Sequence, residues 1–220
     1  MIGCSCAVCI SDDSRDQRLR SSLFITDGDT NILIDAGPDF RQQLLSHHIQ
    51  RLDAIILTHE HRDHTSGLDD IRALNFIQRA PIPIYCTEQV QKGIRDQFSN
   101  AFIPSMIPGL PEFLFKTIND HPFCVNGIEI IPIQVMHYRL LVLGFRISNF
   151  TYITDANYIS DTELDIVMGS EVFVLNALRH ESHISHFSLS ESLMIAARVE
   201  VPITYLTHIS HQMGLHDEEE

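Results

Sequence analysis

The run LDAIILTHEHRDH, residues 52–64, constrains what this chain can fold into more than any other stretch. Its first half is apolar with two adjacent isoleucines, the pattern of a buried strand. Its second half puts three histidines, an aspartate and a glutamate into six positions, 59–64. Such a cluster is stable where a cation neutralises it or where it stands fully in water, and a start at the end of a core strand weakens the second option. The chain as a whole sharpens the point. With 15 Lys+Arg against 29 Asp+Glu its formal charge is −14, so each further acid adds to the repulsion.

With 220 residues, 44% of them hydrophobic, the chain can bury one substantial core, and a single domain over 1–220 is expected. No run of about 18 apolar residues appears, which predicts no membrane span, and the N-terminus lacks the basic-then-apolar form of a signal peptide. A cytoplasmic protein is expected. The acidic balance disfavours nucleic acid as a partner, because basic patches supply most non-specific affinity for it. Five cysteines, three of them in CSCAVC at Cys4, Cys6 and Cys9, argue against a disulfide framework and for metal ligation by the trio. Cys86 and Cys124 sit in apolar, strand-like surroundings and read as small buried hydrophobes.

SSLFITDGDTNILIDAG predicts a hairpin turning at Asp27-Gly28-Asp29, and PDFRQQLLSHHI a helix with Pro38 in its first turn. A strand over 52–58, a helix over roughly 67–79, a strand at IPIYCT and a helix at EQVQKGIRDQF follow by periodicity. SNAFIPSMIPGLPEFLF is too broken by proline and glycine for a regular element and too apolar for a disordered linker, so it reads as a packed or partner-covering loop. CVNGIEIIPIQVMH, LLVLGFRIS and FTYITDA read as three successive antiparallel strands. Capping boxes at Ser160/Glu163 and Ser188/Glu191 open two helices, with the strand VFVLNA between them and ITYLTH as the closing strand.

In H-x-H-x-D-H, an extended strand end would point His59, His61 and Asp63 one way, with the following turn sending His64 to the other side. Four potential ligands in six positions fit metal binding far better than ordinary surface chemistry. The remaining ligands are expected at other strand ends, and three apolar strands do finish on ligand types: His137, Asp155 and His208. Glu60 and Arg62, at the alternate positions, are expected to face outward. Three thiolates with one imidazole, His211 in THISH, would complete a closed tetrahedral set of the structural kind, holding one Zn²⁺.

On H-x-H-x-D-H, His137, Asp155 and His208 the chain resembles the metallo-β-lactamase fold superfamily over almost its whole length. The resemblance implies an α/β (α+β) fold, the αββα sandwich of two mixed β-sheets with helices outside. It implies that His59, His61 and His137 hold one metal, Asp63, His64 and His208 a second, with Asp155 bridging, and that Asp35 in ILIDAG backs these ligands from behind. Within the superfamily, the C-x-C-x-x-C at Cys4, Cys6 and Cys9 and the histidine at 211 resemble the phosphoribosyl cyclic phosphate phosphodiesterases of the carbon–phosphorus lyase pathway. By the same resemblance His186 matches a catalytic histidine, the proton donor or phosphoryl contact, and is placed with Asp63 among the catalytic residues. His183 is a weaker match and His180 reads as surface. The strand and glycine-rich turn usual before the cysteine motif, and the short strand usual after the last histidine, are not matched; an uncovered sheet edge there makes a homodimer the expectation.

The implied activity is a dinuclear metal-dependent hydrolase acting on a small cyclic or nucleotide-like phosphodiester. Two divalent ions about 3.5–4 Å apart, Zn or Mn, neutralise the anionic centre and lower the pKa of a bridging water, giving a hydroxide nucleophile. Arg139, Arg146 and Arg179 are conceivable phosphate clamps, though an arginine beside a strand is more often a surface residue. The alternatives are a tRNA 3′-end endonuclease, which the net charge disfavours, a thioester hydrolase, which leaves the cysteine motif and His186 unexplained, and a zinc-stabilised scaffold without turnover.

Overall fold

A computed structural model describes residues 1–102 and 109–218. The chain divides into two compact units: residues 1–19 with 129–220, and residues 20–128. The fold class is α/β with one mixed sheet in each unit, as the sequence predicts.

Residues 1–19 contain one helical turn, α1 (Ala7–Ile10). In the unit of residues 20–128, β1 (Leu23–Asp27) and β2 (Thr30–Ile34) form the expected hairpin. Gly28 takes the left-handed φ of 54° that its tight turn needs. Helix α2 (Phe40–Ser46) starts two residues after Pro38, and then come β3 (Ala54–Ile56), α3 (Arg62–Thr65), a 3₁₀ turn (Ser66–Asp70), α4 (Ile71–Gln78), β4 (Ile82–Cys86) and α5 (Glu88–Gln97). Thr87 caps α5 by accepting from the Val90 amide. Strand β5 (Phe113–Thr117) completes a sheet in the order β1-β2-β3-β4-β5, antiparallel at the first pair and parallel thereafter. Strand β3 is buried at every residue, whereas β4 alternates buried Ile82, Ile84 and Cys86 with half-buried Pro83 and Tyr85. Leu33, Ile55, Leu57, Ile82 and Ile84 pack with Phe40, Leu68 and Ile71 of the crossovers.

Two expectations change here. The segment 99–115 is not loop throughout, since Ser99–Phe102 forms a 3₁₀ turn and β5 pairs with β4 from Phe113 onward; part of that expectation, residues 103–108, lies outside the described residues. The Phe113 and Phe115 rings stack on one another and on Phe102. Cys124, in the short strand β6 (Phe123–Val125), is exposed rather than buried, whereas Cys86 is buried as expected. Alternation along β6 puts its neighbour Val125 inward instead.

In the other unit, β7 (Ile128–His137), β8 (Leu140–Ile147) and β9 (Phe150–Ile153) are successive antiparallel strands, as predicted. Strands β10 (Tyr158–Ile159), β11 (Val172–Asn176) and β12 (Ile203–Thr207) complete the order β10-β7-β8-β9-β11-β12, with the β9-β11-β12 pairs parallel. Helix α6 (Asp161–Val167) follows β10, and α7 (Leu189–Val199) lies between β11 and β12. Ser188 and Glu191 form the complete capping box of α7. At α6 only Ser160 plays its part, because the Glu163 carboxylate accepts from the Gln134 amide instead. Ile133, Val135, Val142, Ile153, Leu164, Phe173, Leu175 and Val199 make this unit's core. Among the described residues no helix is long and apolar enough to cross a membrane.

Candidate metal-binding site

The extended reading of the HEHRDH segment is corrected by the structure. Strand β3 ends at Ile56, His61 is the N-cap of α3 with φ −61° and ψ 146°, and Asp63 and His64 are already helical. The change of backbone, rather than strand alternation, distributes the side chains. His59 and His64 are buried, His61 is exposed and Asp63 half-buried. The His61 and His64 rings lie 4.6 and 4.4 Å from that of His59, centroid to centroid, and His64 Nε2 is 3.6 Å from Asp63 Oδ2. Arg62 is exposed as expected, but Glu60 is held, accepting from Gln89 and lying against Gly93.

Two close approaches fix this turn. A Cβ on Gly37 would sit 2.0 Å from the Asp63 carbonyl oxygen, and one on Gly67 2.1 Å from the Gly37 carbonyl oxygen. Only glycine lets these three backbone stretches touch. The Ala36 amide donates to His64 O and the Gly67 amide to Ala36 O, at 2.8 and 2.9 Å.

Asp35, fully buried at the end of β2, organises the two buried histidines. It accepts from the Thr58 amide at 2.9 Å, from Thr58 Oγ1 at 2.9 Å and from His64 Nδ1 at 2.7 Å. Thr58 has one hydroxyl proton and gives it to Asp35, so toward His59 Nδ1, 2.9 Å away, the same oxygen is an acceptor. In the neutral imidazoles the hydrogen therefore sits on Nδ1 and the acceptor lone pair on Nε2. This is the tautomer a metal-binding histidine needs, set by the outer partner of the other nitrogen.

The unit of residues 129–220 repeats the logic. His137, at the end of β7, donates from Nδ1 to the Ser185 carbonyl at 2.8 Å, which again leaves the lone pair on Nε2. Asp155 follows β9 and is buried; Thr154 Oγ1 donates to its Oδ2 at 2.7 Å, and His208 Nδ1 lies 3.2 Å from the same oxygen. His186 Nε2 reaches Asp155 Oδ1 at 3.0 Å. Ligand atoms of His137, Asp155 and His186 all lie within 4.8 Å of one another, and the His186 ring stands between those of His137 (4.6 Å) and His208 (4.9 Å). Asn176, at the end of β11, clamps the backbone after Asp155 from both sides, through the Ala156 amide (2.7 Å) and carbonyl (3.0 Å).

Asp35, Asp155 and His208 each follow a strand in the left-handed region, with φ of 63°, 56° and 55°. A non-glycine residue there costs about 1–3 kcal/mol and persists where the surroundings over-determine it. Tyr138 and Ser148 take the same conformation where hairpins turn, while at Asp35, Asp155 and His208 the bent strand end carries a side chain of ligand or ligand-supporting type.

Cys4, Cys6, Cys9 and His211 form a separate group whose ligand atoms lie within 4.8 Å of one another. Cys4 Sγ and Cys6 Sγ are 3.7 and 3.4 Å from His211 Nδ1. Tetrahedral zinc with ligand lengths of about 2.3 Å to sulfur and 2.0 Å to nitrogen separates sulfur from nitrogen by about 3.5 Å, so the set has the dimensions of that ion. The hydrogen bond from His211 lowers the Cys6 thiol to about 6, toward the thiolate that binds metal. Arg18 ties the same two chain segments together, donating to the Ser210 and Gly214 carbonyls.

Among the residues sequence reasoning passed over, Thr58, Thr154, Ser185 and Asn176 hold the ligand-type side chains. One signal was available: a threonine directly precedes His59, Asp155 and His208 alike. Arg146 and Arg179 are structural. Arg146 donates to the carbonyls of Ser148, Ile166 and Met168, and Arg179 to those of Glu181 and Ser182 and to Gln212.

Residues 30–209 match the family described as beta-lactamase superfamily domain. The chain belongs to the metallo-β-lactamase superfamily. A crystal structure of a diphosphatase from the PhnP family superposes with a TM-score of 0.91 at 35% identity, covering 99% of this chain and 83% of that one. An octanoyltransferase of Porphyromonas gingivalis is 37% identical over 220 residues, 99% of this chain and 44% of that protein. The exodeoxyribonuclease YycJ of Bacillus anthracis is 25% identical over 166 residues, 70% of this chain and 57% of that protein. The chain thus spans about half the length of the curated relatives it matches. Metallo-β-lactamase folds are mostly metal-dependent hydrolases and imply divalent metals, and the His/Asp groups described above suit such ions in donor type and tautomer.

Proposed function

We propose that this chain is a metal-dependent hydrolase of small phosphodiesters, the diester of a diphosphate included. His59, His61, Asp63 and His64 of one unit and His137, Asp155 and His208 of the other would serve as metal ligands. A separate zinc would sit in the Cys4, Cys6, Cys9 and His211 set. The observation that carries the proposal is the polarity of the hydrogen bonds. Asp35, Thr58 and the Ser185 carbonyl take the Nδ1 hydrogens of His64, His59 and His137, so three histidines present Nε2 as a base. The substrate class is supported by the likeness to the PhnP-family diphosphatase over nearly the full chain.

When bound, divalent metals supply charge neutralisation at the phosphoryl group and activate water near neutral pH. The residues of the chain do the rest. Asp35 and Thr58 hold two imidazoles in one tautomer, Asp155 is braced by Thr154, and His186 is set against Asp155 where it can give a proton to a departing oxygen.

A second reading has one finding behind it. The 37% identical P. gingivalis protein is named an octanoyltransferase, which favours acyl-thioester chemistry, although this chain matches under half of that protein. Both readings are tested with metal-stripped protein reloaded with Mn²⁺ or Zn²⁺ and offered bis(p-nitrophenyl) phosphate, a dinucleoside diphosphate or octanoyl thioester. Turnover of the phosphate esters alone supports the proposal. Turnover of the thioester alone replaces it with the acyl reading.

A further inference from the structure

The segment joining β11 to α7 carries three histidines, and the reading above uses one of them. Its backbone is fixed at many points. Leu178 N bonds Phe187 O, Phe187 N bonds Ala156 O, Asn157 Nδ2 donates to Ile184 O, and Arg179 gathers the carbonyls of Glu181 and Ser182. On this frame three polar atoms form a triangle. Ser185 Oγ lies 3.2 Å from His183 Nδ1 and 3.0 Å from His186 Nδ1, and the two Nδ1 atoms are 3.2 Å apart.

The direction of the hydrogen bonds follows from the donors available. The Ser185 amide points at His183 Nδ1 from 3.4 Å, which makes that nitrogen an acceptor and puts the ring's proton on Nε2. The Ser185 hydroxyl then donates to His183 as well, and its oxygen accepts from His186 Nδ1–H. His186 is thereby gripped at both nitrogens, by the serine at Nδ1 and by Asp155 Oδ1 at Nε2. Burial, then the neighbouring His186, then Arg179 hold the pKa of His183 below its ordinary value, which suits the neutral acceptor end of the chain of bonds.

We infer that His183 and Ser185 are positioning residues: through the chain His186 Nδ1–H to Ser185 Oγ–H to His183 Nδ1 they keep the His186 Nε2–H aimed as a proton donor. The inference rests on the proposal that His186 serves hydrolysis of a phosphoryl ester. In that step a water oxygen bonds to phosphorus as the bond between phosphorus and the leaving oxygen breaks; the leaving oxygen takes the Nε2 proton, and the proton lost by the attacking water restores His186. Loss of the grip lets the ring turn about its side-chain torsions, so proton delivery suffers while substrate binding does not.

Two measurements test it. In metal-free protein, long-range ¹⁵N–¹H spectra of the histidine rings should show His183 protonated on Nε2 and His186 carrying hydrogen on Nδ1. A proton on His183 Nδ1 would reverse the chain and overturn the inference, whatever the protein hydrolyses. In metal-loaded protein, kcat and KM are compared on bis(p-nitrophenyl) phosphate, whose nitrophenolate leaves unaided, and on diphenyl phosphate, whose phenolate, with a pKa of about 10, gains from a proton. His183→Leu should lower kcat on diphenyl phosphate about 10–100-fold, the usual range for losing such an outer partner. KM and metal content should hold, the nitrophenyl ester should be nearly unaffected, and His183→Asn, which keeps an acceptor, should recover most of the rate. Equal losses on both esters, or none on either, would refute positioning. No turnover of either ester by the wild-type protein would defeat the hydrolase proposal and the kinetic part of this inference together, leaving the spectra as its separate test.

Discussion

Replacing Asp35 with asparagine removes one acceptor and adds one donor at the point where two histidine tautomers are fixed. The left-handed φ of 63° is one that asparagine tolerates well, so the backbone has little reason to move. If the amide oxygen stays on the Thr58 amide, the new NH₂ takes the place of Oδ2, 2.7 Å from His64 Nδ1, and donor meets donor. His64 relieves the clash by moving its hydrogen to Nε2, which takes away the lone pair it would offer a metal. A hydrogen bond to a charged partner is worth about 1.5–3 kcal/mol. At about 1.4 kcal/mol per tenfold, that corresponds to metal affinity weakened about 10–100-fold, the range found when outer partners of metal ligands are removed. Competition with a chromogenic chelator measures it. An Asp35→Asn protein that binds metal within about twofold of wild type, alongside a His64→Ala protein that does not, would refute the reasoning that Asp35 sets the tautomer.

Gly67→Ala places a Cβ 2.1 Å from the Gly37 carbonyl and 2.5 Å from Phe40 Cβ, so it should cost at least the roughly 1–3 kcal/mol of overpacking, read as a lowered urea midpoint. Metal content should fall with it, because the same contact seats the turn bearing Asp63 and His64. Ser188→Ala removes the hydroxyl that caps α7 and donates to Glu191, leaving only the backbone amide as partner of that carboxylate, and should lower stability by about 1 kcal/mol in the same assay. Iodoacetamide at mildly alkaline pH should label Cys124 in the folded protein, since that side chain is exposed. Cys86, whose thiol burial pushes up to about 12, should be labelled only after unfolding, as peptide mass spectrometry will show.

The sequence exposed the chemistry of the site better than its geometry. Ligand-type residues ending apolar strands could be read at His59, His137, Asp155 and His208, because strand periodicity and side-chain identity are local properties. The backbone that aims them could not. Helix α3 begins at Arg62, where a strand end was expected to continue, and nothing local to HEHRDH shows that Gly37 and Gly67 close around it. The left-handed conformations of Asp35 and Asp155 were equally hidden, since the groups that brace them, Thr58 and Asn176, lie far away in the sequence. Strand β5 escaped because proline and glycine just upstream masked five residues that pair with β4. Cys124 was misplaced because an apolar neighbourhood in a three-residue strand does not say which face is inward.

Elemental analysis of the wild-type protein beside Asp155→Ala tests the central claim most directly. The account predicts about three metal ions per wild-type chain after reloading, falling to about one in Asp155→Ala, with that remaining ion zinc in the cysteine set. A folded wild-type protein that retains one metal ion or none would contradict it, and the His/Asp groups would then have to be explained without a metal-dependent hydrolase.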